Sequence, residues 1–147
     1  MGLDADLRAA LNARVLATAG FPAAVEYENT AVSGTPFVPP IADPWARITH
    51  RFGEEVLRTL PAPGGRLERF GVVLVDCFVP LLSGVDALDT LAQAVRDQCP
   101  PNLYLTAGGH RCRVRRSQRV GGARREAFWW DQLSIAWACW AVNPLTG

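Results

Sequence analysis

The sequence predicts an α+β domain, in which a mostly antiparallel sheet of about four to five strands carries two packed helices. The first observation is the apolar run at residues 70–79, rich in Val, Phe and Leu, which indicates a strand buried on most of both faces. The second is an apolar stripe with helical spacing, formed by Leu88, Leu91, Ala92 and Val95. The third is the alternation of residues 45–60 and 110–142, which is typical of antiparallel hairpins.

The N-terminal half is predicted to hold a helix, an irregular arm and a hairpin. Residues 3–19 carry apolar side chains with helical spacing. Residues 25–30 alternate well enough for a short edge strand. A Pro-rich stretch at about residues 31–44 favours an extended arm lying on a surface over a central strand. Residues 45–60 then form a hairpin with the apolar run, bent or bulged near Gly53.

The C-terminal half is predicted to hold the second helix and a second hairpin. Ser83 to Asp86 have the spacing of a capping box and predict where this helix begins. Residues 103–105 could add a short strand. Residues 110–120 and 128–142 alternate, with Gly121-Gly122 as the hairpin turn between them. The element order is α-β-β-β-α-β-β, in a single domain spanning residues 1–147.

Composition excludes several classes of protein. A hydrophobic content of 49% with 20% charged residues is typical of a globular chain, not a disordered one. No apolar run reaches the roughly 18 residues that a membrane span needs. The N-terminus has acidic residues where a secretion signal has basic ones. All 15 basic residues are Arg, which either reflects coding bias or serves planar contacts with several donors.

Metal, cofactor and catalytic signals are not found in the sequence. The four cysteines have no C-x-x-C spacing, so we expect no divalent metal, no cofactor and no disulfide. No motif of a known catalytic site occurs, so an enzyme is not expected. His50 and His110 are predicted to be sheet-face histidines. Asp76, inside the apolar run, is predicted to pair with an Arg across the first hairpin.

The strongest functional signal is an Arg-rich segment that holds seven of the 15 Arg residues within residues 111–125. Arg111, Arg113 and Arg115 should share one strand face, because side chains alternate with a period of two. One interpretation is a solvated face that protects the sheet from aggregation. The other is a surface that meets acidic groups of a neighbouring subunit, or nucleic-acid phosphate. The candidate interface consists of Arg111, Arg113, Arg115, Arg116 and Arg119, with Glu54, Glu55 and Glu68 as the acids.

Several short motifs follow the predicted N-terminal helix, DADLRAALNARVLA. The motifs are Glu28-Asn29-Thr30, Gly34-Thr35-Pro36-Phe37, Pro44-Trp45-Ala46-Arg47-Ile48, Gly71-Val72-Val73-Leu74-Val75 and Phe78-Val79-Pro80. Their order resembles the tail terminator (tail completion) proteins of long-tailed bacteriophages, and the N-terminal helix also fits the start of that family. The resemblance spans most of the chain.

The resemblance implies a structural virion protein without a catalytic site. Such a subunit forms a hexameric ring that caps the tail tube, stops tube polymerisation and offers a surface for head-tail joining. Its partners would be other copies of itself, the tail tube protein and a head-tail connector or neck protein. DNA would pass through the ring without sequence-specific binding. The protein would be assembled in the host cytoplasm and reside at the tail-neck of the virion.

Two alternatives to a tail terminator stay open from the sequence. One is another neck or head-completion protein of the same particle. The other is a nucleic-acid-binding module that uses the Arg-rich segment at residues 111–125.

Overall fold

A computed structural model describes most of the chain as two helices and one sheet. The described residues are 3–28, 37–40, 42–57, 66–108, 110–125 and 127–142; within them, the side chains of residues 3, 54–57, 66–67, 125 and 141–142 are not described. The helices and strands are α1 (Leu3–Leu16), β1 (Ala24–Tyr27), β2 (Trp45–Leu57), β3 (Arg66–Pro80), α2 (Asp86–Gln98), β4 (Tyr104–Ala107), β5 (His110–Arg125) and β6 (Phe128–Val142). Neither of these two helices is long and apolar enough to cross a membrane.

The α+β class is confirmed, but the sheet differs from the prediction in strand number and direction. It is a curled half-barrel of six described strands in the order β1-β2-β3-β6-β5-β4. β4 adds the strand that was only suggested by residues 103–105. β1 runs parallel to β2, so the sheet is mixed. The long connection from residue 28 to residue 44 makes this possible, since parallel neighbours need a crossover of a dozen or more residues.

Both helices pack on one face of the sheet, which we call the inner face; the opposite face is the outer face. Their buried side chains, headed by Leu7 and Leu11 of α1 and Leu88 of α2, form one cluster with inner-face residues of β2, β3, β5 and β6. Val73 and Val75 lie in this cluster with no exposed surface, so their predicted core positions are confirmed. The apolar stripe predicted for α2 is also buried, at Leu88, Leu91, Ala92 and Val95.

Two predictions that were based on short sequence motifs, a capping box and a hairpin turn, were wrong. The capping box is absent, because the Ser83 hydroxyl donates to the Pro80 carbonyl at 2.6 Å and the N-cap residue, Val85, makes no side-chain cap. Gly121-Gly122 is not the hairpin turn, since β5 continues to Arg125. Gly121 instead adopts a left-handed φ of 112° where the register of β5 against β6 shifts, which is the position of a bulge. The bulge predicted near Gly53 is confirmed.

The expectation of no disulfide was also wrong, since the structure pairs Cys112 with Cys139. The two residues are separated by 27 positions in sequence, but the β5–β6 register places them directly opposite each other with Cα atoms 4.2 Å apart. Sequence spacing could not show this register. Cys77 and Cys99 are buried free cysteines. Burial raises the pKa of the Cys77 thiol to about 12, with the charges of Asp76 and Asp131 adding to the shift.

A second, smaller apolar cluster lies on the outer face at one end of the sheet. Trp45 stacks on Phe78 with ring centroids 3.8 Å apart, and Phe128 and Trp130 complete the cluster. Phe37 packs against it, so the part of the predicted arm at residues 37–40 lies on the sheet. Residues 31–36 and 41 of that predicted arm lie outside the described residues.

Candidate interaction surface

Four arginines of β5 lie on the outer face; we call them the outer arginine row: Arg111, Arg113, Arg115 and Arg116. Arg113 and Arg116 align in register with the small outer-face residues of β6, Ala138 and Ala136. The prediction that Arg111, Arg113 and Arg115 share one face is confirmed by the outer-face aromatic rings that each of them contacts.

Each of these three guanidinium groups lies over an aromatic ring from another strand. The Arg111 group is 4.0 Å from the Tyr104 ring centroid, the Arg115 group is 4.9 Å from Phe70, and the Arg113 group is 5.9 Å from Trp140. Such contacts contribute about 0.5–1 kcal/mol each at exposed sites and hold the planar group against the ring. They orient the arginines but supply no counter-ion for the positive charge.

The positive charge of the row is not neutralised within the described part of the chain. None of its four arginines forms an ion pair with a described residue. The Nε of Arg113 is buried and has no hydrogen-bond partner. Because an unpaired buried donor is costly, this N–H is a candidate for an acceptor supplied by another molecule.

Arg119 belongs to the same sequence segment but points to the inner face. Its guanidinium ion-pairs with Asp131, and its Nη2 lies 2.7 Å from Oδ1 of Asp89 on α2. Asp131 is buried and also accepts from the Gly121 backbone N–H at 3.1 Å. The hydrogen bonds that Arg119 donates to Asp131 and Asp89 raise the pKa of Arg119 above its ordinary value. Arg119 therefore ties α2 to the β5–β6 hairpin and is separate from the outer arginine row.

The three candidate acids are not brought together with the arginines in one place. Glu68 of β3 lies on the outer face opposite Trp140, whose other neighbour in register is Arg111. Glu54 and Glu55 lie in β2, and their side chains are outside the described residues. Pairing of these acids with arginines of a neighbouring subunit thus stays a prediction.

The sequence interpretation missed a fifth arginine and the aromatic rings. Arg51 is exposed on the outer face of β2, in a line across four strands that ends at Arg116. No aromatic residue interrupts the Arg-rich segment itself. The rings of Tyr104, Phe70 and Trp140 come from β4, β3 and β6, so only the strand order and register could have revealed them.

Asp76 is paired as predicted and separates the outer arginine row from the aromatic cluster. The Nε of Arg47, its direct cross-strand neighbour, lies 3.1 Å from its Oδ2, and the Gln132 amide donates to its Oδ1 at 2.9 Å. Asp76 is almost fully buried, and the ion pair with Arg47 compensates its buried charge. This trio is part of the structural framework of the outer face.

His50, which was predicted to lie on a sheet face, is on the inner face beside the edge of the sheet. Its Nε2 lies 2.7 Å from the Asn12 Oδ1, and its backbone N–H donates to Glu28 at 2.7 Å. Burial, and then the charge of Arg8, lowers the pKa of His50 to about 4. Burial alone would raise the pKa of Glu28, but the bonds from His50 and Arg8 lower it below its usual value. His50 is therefore neutral at pH 7 and structural.

His110, the other predicted sheet-face histidine, begins β5 and pairs in register with Ala107 of β4. The described residues contain no group of three or more His, Cys, Asp or Glu side chains placed to hold a metal ion.

Comparison with known proteins identifies the family. A sequence model of the phage tail terminator protein family matches residues 6–137. No curated protein matches the sequence significantly. One solved structure, named only by a sequence identifier, is 24% identical over 98% of both chains with a TM-score of 0.70. Another, from the virion of a native gene transfer agent particle, is 13% identical over 97% of this chain and 98% of that chain, with a TM-score of 0.58.

These two structural similarities show the fold alone, whereas the family match covers most of the sequence. The resemblance inferred from the short motifs is thereby confirmed. The chain belongs to the phage tail terminator protein family, a family of structural virion proteins.

Proposed function

We propose that this chain is the subunit of a ring that caps a phage-type tail tube, ends its polymerisation and presents a surface for joining the head. The observation that carries the proposal is the family match over residues 6–137, which includes α2, most of α1 and nearly the whole sheet. The similarity in fold to a chain of a gene transfer agent virion supports it, since that chain also comes from an assembled particle.

A closed ring needs two different surfaces of each subunit that meet head to tail. The two edges of the sheet are candidates for these two surfaces. β1 pairs only with Trp45–Ile48 of β2, and β4 pairs only with His110–Arg113 of β5. The rest of β2 and the rest of β5 are longer than these paired portions. In the described part of the chain, they have no strand partner on the side that faces away from the centre of the sheet. These edges lie on opposite sides of the sheet and carry different side chains, which supports a heterologous contact.

Exposed apolar side chains at one end of the molecule support contacts with further proteins. Leu82 is fully exposed in the connection between β3 and α2, and Val85 and Trp129 nearby are 51% and 37% exposed. Large exposed apolar side chains grouped at one place are typical of interaction sites. We propose that the ring contacts the tail tube protein on one side and a neck protein on the other, with DNA passing through its channel.

The test combines mass in solution with electron microscopy of tail tubes. We expect the protein, alone or with tubes, to form rings of about 96 kDa, that is six chains of 16.0 kDa each. Added to polymerising tube protein, it should bind one end and stop elongation, whereas its removal from producing cells should give overlong, headless tails. Tails of normal length that still join heads in its absence would contradict the proposal.

A further inference from the structure

We infer that the outer face of the sheet binds the phosphate backbone of double-stranded nucleic acid through the outer arginine row and Arg51. This inference goes beyond the capping of a tail tube and does not depend on ring assembly. Arginine is well suited to this role because its planar group donates two parallel hydrogen bonds to a phosphate and stays charged at every physiological pH.

The first step is the charge of the face. Arg51 and the four arginines of the row form no ion pair with any described residue, and four of these five side chains are exposed. The described acids on this face are Glu68, at the end near Arg111, Asp76, which Arg47 already binds, and Glu26 on the edge strand β1, in register with Arg47. The centre of the face therefore carries a net positive charge that an external anion can neutralise.

The second step is spacing. Successive residues of an antiparallel strand rise about 3.4 Å, so Arg111 and Arg113 are about 6.8 Å apart along β5, which equals two base-pair steps of a DNA duplex. Arg51 lies three strand positions from Arg116, or about 14 Å across the sheet. This is close to the major-groove width of about 12 Å. The row can follow one phosphate strand while Arg51 reaches the strand across the groove.

The third step separates backbone binding from base stacking. Proteins that bind single strands use open aromatic rings on which bases stack. Here guanidinium groups cover the rings of Tyr104, Phe70 and Trp140 at 4.0–5.9 Å. The rings orient arginines and are not open platforms, which favours the regular backbone of a duplex over unstacked bases.

The fourth step concerns the competing partner, a second copy of this chain. Many of its described carboxylates are already bound within the subunit: Asp4 by Arg69, Glu28 by Arg8, Asp76 by Arg47, and both Asp89 and Asp131 by Arg119. Among its described residues, a neighbour thus offers few unpaired carboxylates at any one place, whereas a duplex offers a regular row of phosphates. In a ring, a face of this kind belongs on the channel through which DNA passes.

The experiment measures binding of a fluorescent duplex of about 30 base pairs by anisotropy as salt is varied. With five phosphate contacts, the logarithm of the association constant should fall against the logarithm of the salt concentration with a slope of about −4.5, or about 500-fold between 50 and 200 mM salt. The double variant Arg113→Gln/Arg115→Gln should change the slope to about −2.7 and reduce the loss of affinity to about 40-fold. Gln keeps a polar side chain at each site, and an unchanged thermal midpoint checks the fold.

The matched control removes the same two charges elsewhere. Arg96 is exposed on α2, and Arg124 is exposed on β5 in register with the inner-face residue Trp129. The double variant Arg96→Gln/Arg124→Gln should keep the slope of the unaltered protein. No duplex binding at about 50 mM salt, or equal slopes for the two double variants, would overturn the inference. So would loss of self-association in Arg113→Gln/Arg115→Gln with duplex binding retained, because the face would then be a subunit contact.

Discussion

Arginine residues of the same strand have different partners on the inner and on the outer face of the sheet. On the inner face, Arg119 lies between Asp89 and Asp131, and Arg69 pairs with Asp4 of α1. On the outer face, Arg111, Arg113 and Arg115 of β5, the strand of Arg119, lie over aromatic rings and meet no described carboxylate. Arg119 and Arg69 join helices to the sheet, whereas the outer arginine row is available to another molecule. Charge along a strand therefore has to be counted by face, not by sequence segment.

Two adjacent valines give the largest expected difference in stability between the inner and the outer face. Val73 is fully buried on the inner face, whereas Val72 is half-buried on the outer face in register with Arg51. Val73→Asp should abolish cooperative thermal unfolding, because an unpaired buried charge costs as much as the whole stability of about 5–15 kcal/mol. Val72→Asp should cost less than about 1.5 kcal/mol. Circular dichroism melting checks both, and a Val73→Asp protein with an unchanged midpoint would refute the assignment of faces.

Removal of the disulfide, which also lies on the inner face, should have the next largest effect on stability. Replacing Cys112 and Cys139 together by Ala should destabilise the oxidised protein by about 2–4 kcal/mol in a denaturant titration. The matched control is Cys77→Ala, which should leave the response to reductant unchanged. Alkylation of the unfolded, unreduced protein should modify two of the four cysteines; modification of all four would show that the disulfide does not form.

Asp131 and Asp89 bind the same arginine at different depths. The Asp131 side chain is 1% exposed and that of Asp89 is 51% exposed. Asp131→Ala should cost about 1–3 kcal/mol, because it leaves Arg119 and the Gly121 N–H without their buried acceptor. Asp89→Ala should cost less than about 1 kcal/mol, as expected for an exposed pair. Equal losses in urea titrations would mean that the inner-face network does not depend on burial.

The smallest effect concerns pH and His50. The pKa of His50 is lowered from 6.5 to about 4 in the folded state, so between these values the unfolded chain binds more protons. The contribution of neutral His50 to stability is therefore fully present above about pH 6.5 and is lost as the pH falls towards 4. His50→Gln should flatten the stability profile between about pH 6.5 and 5, measured by urea titration. An unchanged slope would show that His50 is not buried as described.

Local patterns predicted much of this fold because they depend on neighbours in sequence. The alternation of β2 and β6, the apolar stripe of α2 and the core positions of Val73 and Val75 all follow from periodicity. The pairing of Asp76 with an Arg across the first hairpin was also predicted, and the structure identifies this partner as Arg47.

Features that depend on register were not predicted. The shift between Val114 and Arg116 places an extra residue in β5, which reverses the alternation, so Arg119 falls on the inner face and not with Arg111. The disulfide and the rings beneath the arginines depend on which strands are neighbours, and the parallel pairing of β1 depends on a long crossover. None of these leaves a local signal in the sequence.

A three-dimensional reconstruction of the protein bound to the end of a tail tube tests the central claim most directly. Our account predicts a closed ring of subunits, with the outer arginine row and Arg51 facing the central channel and the opposite sides of the sheet meeting between neighbours. A reconstruction without a ring, or one in which α1 and α2 line the channel and the outer face is buried between subunits, would contradict it.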